Sequence, residues 1–345
     1  MAKPFVNPFV SGQFLELRVD ALVSDGRGLG RHDGVVVLVE DALPGQLVRA
    51  QVAAVRKSLA EAALVEVLER SPDEQEPPCP HAGRCGGCSW QSLAYGRQLA
   101  WKERIVHDAL ERVGKVACPP MLPILPSPSE WGYRNKMEFA FGVSGDGGKA
   151  LGLRERGSRN IVEVTGCLLQ TPLTMRVLEA VRMLSNGAFH DLDGRFLVVR
   201  EPNAGGCFVE LIVGAGGSLE AGERFAEALR AETPEVTGFA LSERLAPSDV
   251  AYGERALYAD GRLEERIGDV RLQMGHNAFF QVNTPAAELL YAEAARFAAL
   301  GELPDPVLWD VYGGVGSIGL YMGRNARVVG IEEMPGAVRY ARGNA

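Results

Sequence analysis

The sequence holds no apolar run long enough to cross a bilayer. Its longest uncharged stretch near the C-terminal end, residues 311–323, falls short of the ~18 apolar residues that a spanning helix needs. The opening residues lack the apolar core of a secretory signal, so a cytoplasmic protein with no membrane partner is expected. Cysteine is scarce: six in 345 residues are far too few for a disulfide scaffold. An excess of positive charge is lacking too. With 36 Lys and Arg against 44 Asp and Glu, the formal charge of -8 argues against a protein that coats nucleic acid by charge alone. Lysine is nearly missing, six against 30 arginines. The composition of a disordered chain is also absent, since 46% of residues are apolar and 23% charged. The length allows two or three domains, each able to bury its own core.

Charge is nevertheless segregated. Residues 81–160 hold twelve basic and seven acidic side chains, a local +5, which leaves -13 for the rest. A polyanion would be sought in that basic part, although a solvated face would read the same way. Three of the six cysteines are bunched there: Cys79, Cys85 and Cys88 lie among Pro77, Pro78, Pro80, Gly83, Gly86 and Gly87. Prolines and glycines at this density forbid regular structure and force a tight loop. Three thiols in such a loop point to a metal or cluster site, because soft thiolates select zinc or iron–sulfur. A fourth ligand is needed, and His81, Cys118, Cys167 and Cys207 are the candidates. His81 would complete a zinc knuckle, whereas a distant cysteine would suit a four-iron cluster; the spacing leaves both open.

Residues 14–70 read as a small all-β module. Alternation over 14–19 and apolar or β-branched runs at 35–39, 47–55 and 63–68 are separated by breaks. Those breaks are Gly26 to Gly30, Asp33 with Gly34, and Leu43 to Gly45. Short strands between glycine turns predict a closed five-stranded barrel of the oligonucleotide-binding type, with Arg27, Arg31, Arg56 and Lys57 as candidate RNA contacts. An amphipathic helix is expected over 91–113, followed by a proline-rich linker at 116–130. From Trp131 strands at 136–141, 151–154, 195–200, 208–213, 236–242 and 270–274 alternate with helices at 171–184 and 219–231, which predicts an α/β middle domain.

The last segment is the sharpest. Residues 306–312 read as a buried strand, Gly313, Gly314 and Gly316 form a turn, and residues 317–322 open a helix. A second strand at 327–331 ends on Glu332. A glycine turn between strand and helix lets backbone approach a ligand, and an acid at the tip of the next strand is placed for ribose hydroxyls. The pattern predicts a nucleoside cofactor. NAD and S-adenosylmethionine (SAM) both remain open on it.

These strings together resemble a known family, the SAM-dependent RNA uracil-C5 methyltransferases with an N-terminal TRAM domain and a [4Fe-4S] cluster, of the 23S rRNA type. The stretches that carry the likeness run in order along nearly the whole chain. They are Gly28 to Gly30, Leu43 to Gly45, and Cys85 through Gln91 (CGGCSWQ). Tyr95, Gln98, Leu99 and Lys102 come next, then Tyr133 to Lys136 (YRNK), Cys167, Phe280 to Asn283 (FQVN), and the glycine turn. The resemblance implies a multidomain α/β fold: a TRAM barrel at 11–71, a central α/β domain with the iron–sulfur loop at 72–275, and the start of a Rossmann-like class I methyltransferase domain at 276–345.

It also implies site residues. Cys79, Cys85, Cys88 and Cys167 would hold the cluster; Gln281, Tyr312 and Glu332 would contact SAM, with Gly314 and Gly316 passing beneath it. Cys118 and Cys207 match no family ligand and are expected to be core thiols. The implied reaction unstacks a uridine, adds a cysteine thiolate to C6, methylates C5 and removes the C5 proton with a carboxylate. Two departures stand out. Gly313 replaces the cysteine usual after the aromatic of the turn, and the family's nucleophile and base strings would fall after Ala345. The expectation is therefore a monomeric methyltransferase acting on 23S rRNA, represented without its catalytic end and inactive as it stands. Alternatives are a tRNA substrate or a non-catalytic RNA-binding iron–sulfur protein. A radical-SAM methylthiotransferase conflicts with the cysteine spacing and the order of domains.

Overall fold

A computed structural model describes residues 7–214, 217–247 and 249–345. Most of the segment read as lacking a secretory signal, residues 1–6, lies outside them. The chain divides into two compact units, Met1–Pro126 and Ser127–Ala345.

The first unit is built on a closed barrel. Strands β1 (Phe14–Leu22), β2 (Gly28–His32), β3 (Val35–Val39), β4 (Leu47–Val55) and β5 (Leu59–Glu69) close in the order β1-β2-β3-β5-β4, with only β3–β5 parallel. Alternate residues such as Leu15, Leu17, Val37, Val39, Val48 and Ala60 fill its core. The expected break at Gly26 to Gly30 is a correction: Gly28 and Gly30 lie inside β2, opposite Val39 and Val37. Sterics require it, since a Cβ at Gly30 would stand 2.3 Å from the Arg18 carbonyl oxygen and one at Gly28 2.7 Å from that of Ala42. Glycine here permits close strand approach; it does not interrupt the strand.

The expected helix starts later than read. Helix α1 spans Tyr95–Asp108 and runs into a wider turn at Ala109–Val113. None of its residues is fully buried; Trp101 and Ile105 rest on a small cluster of Leu22, Leu43 and Leu93. Residues 114–130 carry no helix or strand, as the prolines dictate.

The second unit centres on a seven-stranded sheet. In chain order its elements are β6 (Lys136–Val143), β7 (Lys149–Arg154), β8 (Ile161–Val162), helix α2 (Pro172–Asn186), β9 (Gly194–Arg200), β10 (Cys207–Val213), helix α3 (Leu219–Glu232), β11 (Val236–Glu243) and β12 (Arg255–Asp260). The sheet order is β12-β11-β10-β9-β6-β7-β8, with β10–β11 its parallel pair. One face, carrying Leu197, Leu211 and Phe239, lies under α2 and α3; Phe225 of α3 stacks on Phe239 with ring centroids 5.6 Å apart. Residues of the other face, Phe208 and Ala240, join a second core. That core is supplied by the hairpin β13 (Leu263–Ile267) and β14 (Val270–Met274), by helix α4 (Thr284–Ala298), and by Val315.

The chain ends with β15 (Val307–Val311), α5 (Ser317–Met322), β16 (Arg327–Ile331) and α6 (Pro335–Asn344). Strands β15 and β16 pair in parallel, Val307 opposite Arg327 through Val311 opposite Ile331. The expectation of a buried strand at 306–312 is overturned: Trp309 is 62% exposed and only Asp310 is buried. Alternation explains this. Leu308 and Asp310 lie toward the α5 side, while Val307, Trp309 and Val311 point to the face that α5 leaves open. Among the described residues, no helix is long and apolar enough to cross a membrane.

Candidate cofactor site

The glycine turn forms because the backbone between β15 and α5 must reverse within five residues. Tyr312 (φ 62°), Gly314 (57°) and Gly316 (87°) all occupy the left-handed region. Two of these are glycines, for which the conformation is inexpensive; Tyr312 is not, and a bulky residue held there stores strain. The turn is closed by Gly316 N–H to the Gly313 carbonyl (2.8 Å), and Gly313 N–H continues the sheet to Ile331 O (3.0 Å). Asp310, buried, accepts the Gly319 N–H at 2.9 Å and so joins β15 to α5. A Cβ at Gly313 would lie 3.1 Å from the same carboxylate, a tight contact.

Glu332 closes the arrangement. Its two oxygens accept N–H groups from Met334 and Gly314, each at 2.8 Å, and these bonds hold the carboxyl below the usual range. Of the cofactor residues expected from the sequence, Tyr312, Gly314, Gly316 and Glu332 are therefore brought together. The Tyr312 ring stands almost wholly in solvent. Gln281 sits on the loop between β14 and α4, next to Phe280, which shares a core with Val315 of the turn.

That loop is where the YRNK and FQVN strings meet. Asn135 donates its backbone N–H to Val282 O (2.8 Å). Its side-chain Nδ2 reaches Gln281 O (3.0 Å), Thr284 Oγ1 (2.8 Å) and Glu265 Oε2 (3.1 Å). Glu265, on β13, is buried, and burial pushes its carboxyl up; the Arg266 and Asn203 amides and the Thr284 hydroxyl offset part of that. Asn283 caps α4 by accepting the Ala286 N–H at 3.0 Å. Sequence reading assigned no role to Asn135, Glu265 or Asp310. A carboxylate in an apolar strand beside a glycine turn was a usable signal for Asp310; Glu265, in a run of charged residues, offered none.

The cysteines are distributed between the two units. Cys79, Cys85 and Cys88 are half-buried in the first, on turns in which the Cys85 N–H bonds His81 O (2.9 Å) and the Gly87 N–H reaches Cys85 Sγ (3.4 Å). An amide on sulfur is the support a thiolate needs, so the donor chemistry fits a soft metal or cluster. Cys167, half-buried in the second unit, accepts the Gln170 N–H on its carbonyl at 3.1 Å. Both side-chain amide atoms of Gln170 are buried with no hydrogen-bond partner among the described residues. Among those residues, no group of three or more His, Cys, Asp or Glu is gathered as a metal site. Cys207 is a core thiol as expected, its pKa pushed up to about 12 by burial, which keeps it from acting as a thiolate. Cys118 is a correction: it lies half-buried in the irregular segment before the second unit and not in a core.

The basic part is less free than its count suggests. Arg97 pairs with Asp73 (2.8 Å), Arg104 and Arg112 share Asp108 (3.2 Å each), and Arg154 and Arg159 share Asp249 (3.0 and 3.5 Å). On the barrel, Arg27 holds Asp25 and Arg56 holds Glu61, while Arg31 and Lys57 are exposed.

Comparison with known proteins bears on this geometry. The TRAM domain model matches residues 8–65. An uncharacterized RNA methyltransferase of Nitratidesulfovibrio vulgaris is 44% identical over 98% of this chain and 74% of its own length. Another, from Caldanaerobacter subterraneus, is 32% identical over 99% of this chain and 77% of its length. Among solved structures, the Pyrococcus abyssi tRNA (uracil-54, C5)-methyltransferase in complex with S-adenosyl-L-homocysteine superposes with a TM-score of 0.72 at 23% identity. It covers 96% of this chain and 76% of that one. At that identity the likeness is one of fold.

Proposed function

Because the chain belongs to the TRAM-domain RNA methyltransferases, we propose that it serves the SAM-dependent methylation of uridine C5 in 23S rRNA. The observation that carries the reading is the turn at 313–316 closed by Glu332, adjoining through one core the loop that Asn135 suspends. SAM, when bound, supplies an electrophilic methyl group. The chain's own residues do the rest of the work assigned here. Glu332 keeps lone pairs for the ribose hydroxyls beyond the two amides it accepts. Gly314 and Gly316 let the nucleoside approach backbone, the exposed Tyr312 ring offers it a face, and Gln281 is held where its loop meets the turn. In this reading the reaction passes through a cysteine adduct at uridine C6. Neither Cys118 nor Cys207 is assigned as its nucleophile. Three parts, 11–71, 72–275 and 276–345, divide RNA contact, cluster and cofactor binding among them.

Equilibrium dialysis of SAM against the purified protein tests the cofactor site. Glu332→Ala should raise the dissociation constant by about tenfold or more, the loss expected for charge-assisted hydrogen bonds. An unaltered constant would remove Glu332 from the site. Binding assays with 23S rRNA segments and with tRNA side by side separate the two substrate classes.

The same reading gives Cys79, Cys85, Cys88 and Cys167 to a [4Fe-4S] cluster, supported by three thiols in one loop and by the Gly87 amide on the Cys85 sulfur. Protein purified without oxygen should carry iron and a visible charge-transfer absorbance, both lost in Cys85→Ser. Retention of full iron content in that variant would sink the ligand assignment.

A further inference from the structure

The hairpin β13–β14 touches both halves of the proposed site. Its apolar residues Leu263, Ile267, Leu272 and Met274 share one buried cluster with Phe280, which precedes Gln281, and with Val315 of the glycine turn. Its polar groups divide the labour. On β13, Glu265 accepts from Asn135 and Thr284, the residues that suspend the Gln281 loop. On β14, both backbone groups of Gln273 are taken by one side chain of α6. The Gln273 N–H donates to Asn344 Oδ1 at 2.9 Å, and Asn344 Nδ2 returns a bond to Gln273 O at 3.0 Å. The amide of Asn344 thus pairs with the edge of β14 as a further strand would. Its remaining Nδ2 proton goes to Val315 O at 3.0 Å, between the two left-handed glycines.

We infer that the hairpin sets the Gln281 loop and the glycine turn against each other, and that Asn344 is a positioning residue for the turn, acting through Gln273 and Val315. The inference rests on the cofactor reading above for its functional consequence, and on the three hydrogen bonds of Asn344 for the clamp itself. A turn with left-handed φ at the alternate positions 312, 314 and 316 has many alternatives in reach of thermal motion. A side chain that ties the Val315 carbonyl to the edge of β14 removes most of them.

The test compares the whole protein with Asn344→Ala, the near-isosteric Asn344→Asp, and Arg342→Ala as an exposed control on the same helix. Asp keeps the acceptor for Gln273 and loses both donors, so helix packing is retained while the bond to Val315 is not. Two quantities are read: the SAM dissociation constant, and hydrogen exchange at the amides of Gly314 and Gly316. Both Asn344 variants should weaken SAM binding by about tenfold and speed exchange at the turn. Both lose hydrogen bonds and so some thermal stability, and both quantities are read well below the unfolding transition. Turn exchange unaltered in both variants overturns the clamp. If the unsubstituted protein binds no SAM, the cofactor reading fails instead, and the exchange data still decide whether Asn344 holds the turn.

Discussion

Replacing Asn135 with leucine is expected to lower the unfolding midpoint of the protein by roughly 5–15 °C. The estimate follows from the bonds removed. Asn135 Nδ2 serves Gln281 O, Thr284 Oγ1 and Glu265 Oε2, and leucine serves none of them. Leaving buried acceptors short of donors costs about 2–4 kcal/mol, and a unit of this size loses about 2–4 °C per kcal/mol. The deficit should depend on pH in a definite direction. Burial already pushes the Glu265 carboxyl up, and losing Asn135 pushes it further. An acid whose folded-state pKa lies above its unfolded value favours folding at low pH. It loses that contribution as pH rises through the folded value. Calorimetry should therefore find the gap between wild type and variant widest near pH 8 and narrower as the solution is acidified. A gap that widens on acidification would mean that Glu265 is not the group left exposed to the cost.

The second large effect belongs to the barrel. Gly30→Ala would place a methyl group 2.3 Å from the Arg18 carbonyl oxygen and 2.8 Å from Leu17 Cδ1. The first neighbour is backbone, paired across β1 and β2 where Val19 faces Gly30, so relief requires opening the barrel seam. A cost of about 3 kcal/mol or more is expected, at the upper end for a single methyl group. Gly34→Ala is the control. Unlike Gly30 it has a left-handed φ, at 79°, but open space surrounds it, and a cost of about 1 kcal/mol is expected there from the backbone alone. Urea unfolding followed through Trp90, whose indole N–H bonds Gly26 O at 3.0 Å, reads the first unit. Equal shifts for the two variants would mean that close strand approach is not what glycine supplies at position 30.

Much of this architecture was legible in the sequence, and what was missed has identifiable causes. Strands 208–213, 236–242 and 270–274 were found within one residue because they are apolar runs bounded by turn residues. Strand β2 was missed because Gly28 and Gly30 signal a turn locally, and only the packing of β1 against β2 shows that they serve a strand. Helix α4 begins with Thr284 and Pro285 directly after FQVN, whose last residue, Asn283, is its cap. At the site, the glycine turn and Glu332 could be read because their spacing is short-range. Asn135 and Glu265 could not, since the bond between them joins residues 130 positions apart. The exposed face of β15 escaped for a different reason: apolar composition reports what a strand could bury, and not whether anything covers it.

The arginines that already hold acids change how RNA would be gripped. A basic side chain free in solution keeps a loose cloud of small anions and competes with salt when it meets a phosphate. Arg97, Arg104, Arg112, Arg154 and Arg159 instead carry carboxylates as fixed counterions. To take a phosphate they must exchange one anionic partner for another. The entropy that drives indiscriminate binding, the release of mobile ions from the polymer, then comes with an opposing loss of intramolecular pairing. Arginines so paired are poorly suited to holding any RNA that passes. They are better suited to one whose backbone is already shaped to offer phosphates where those carboxylates can be displaced.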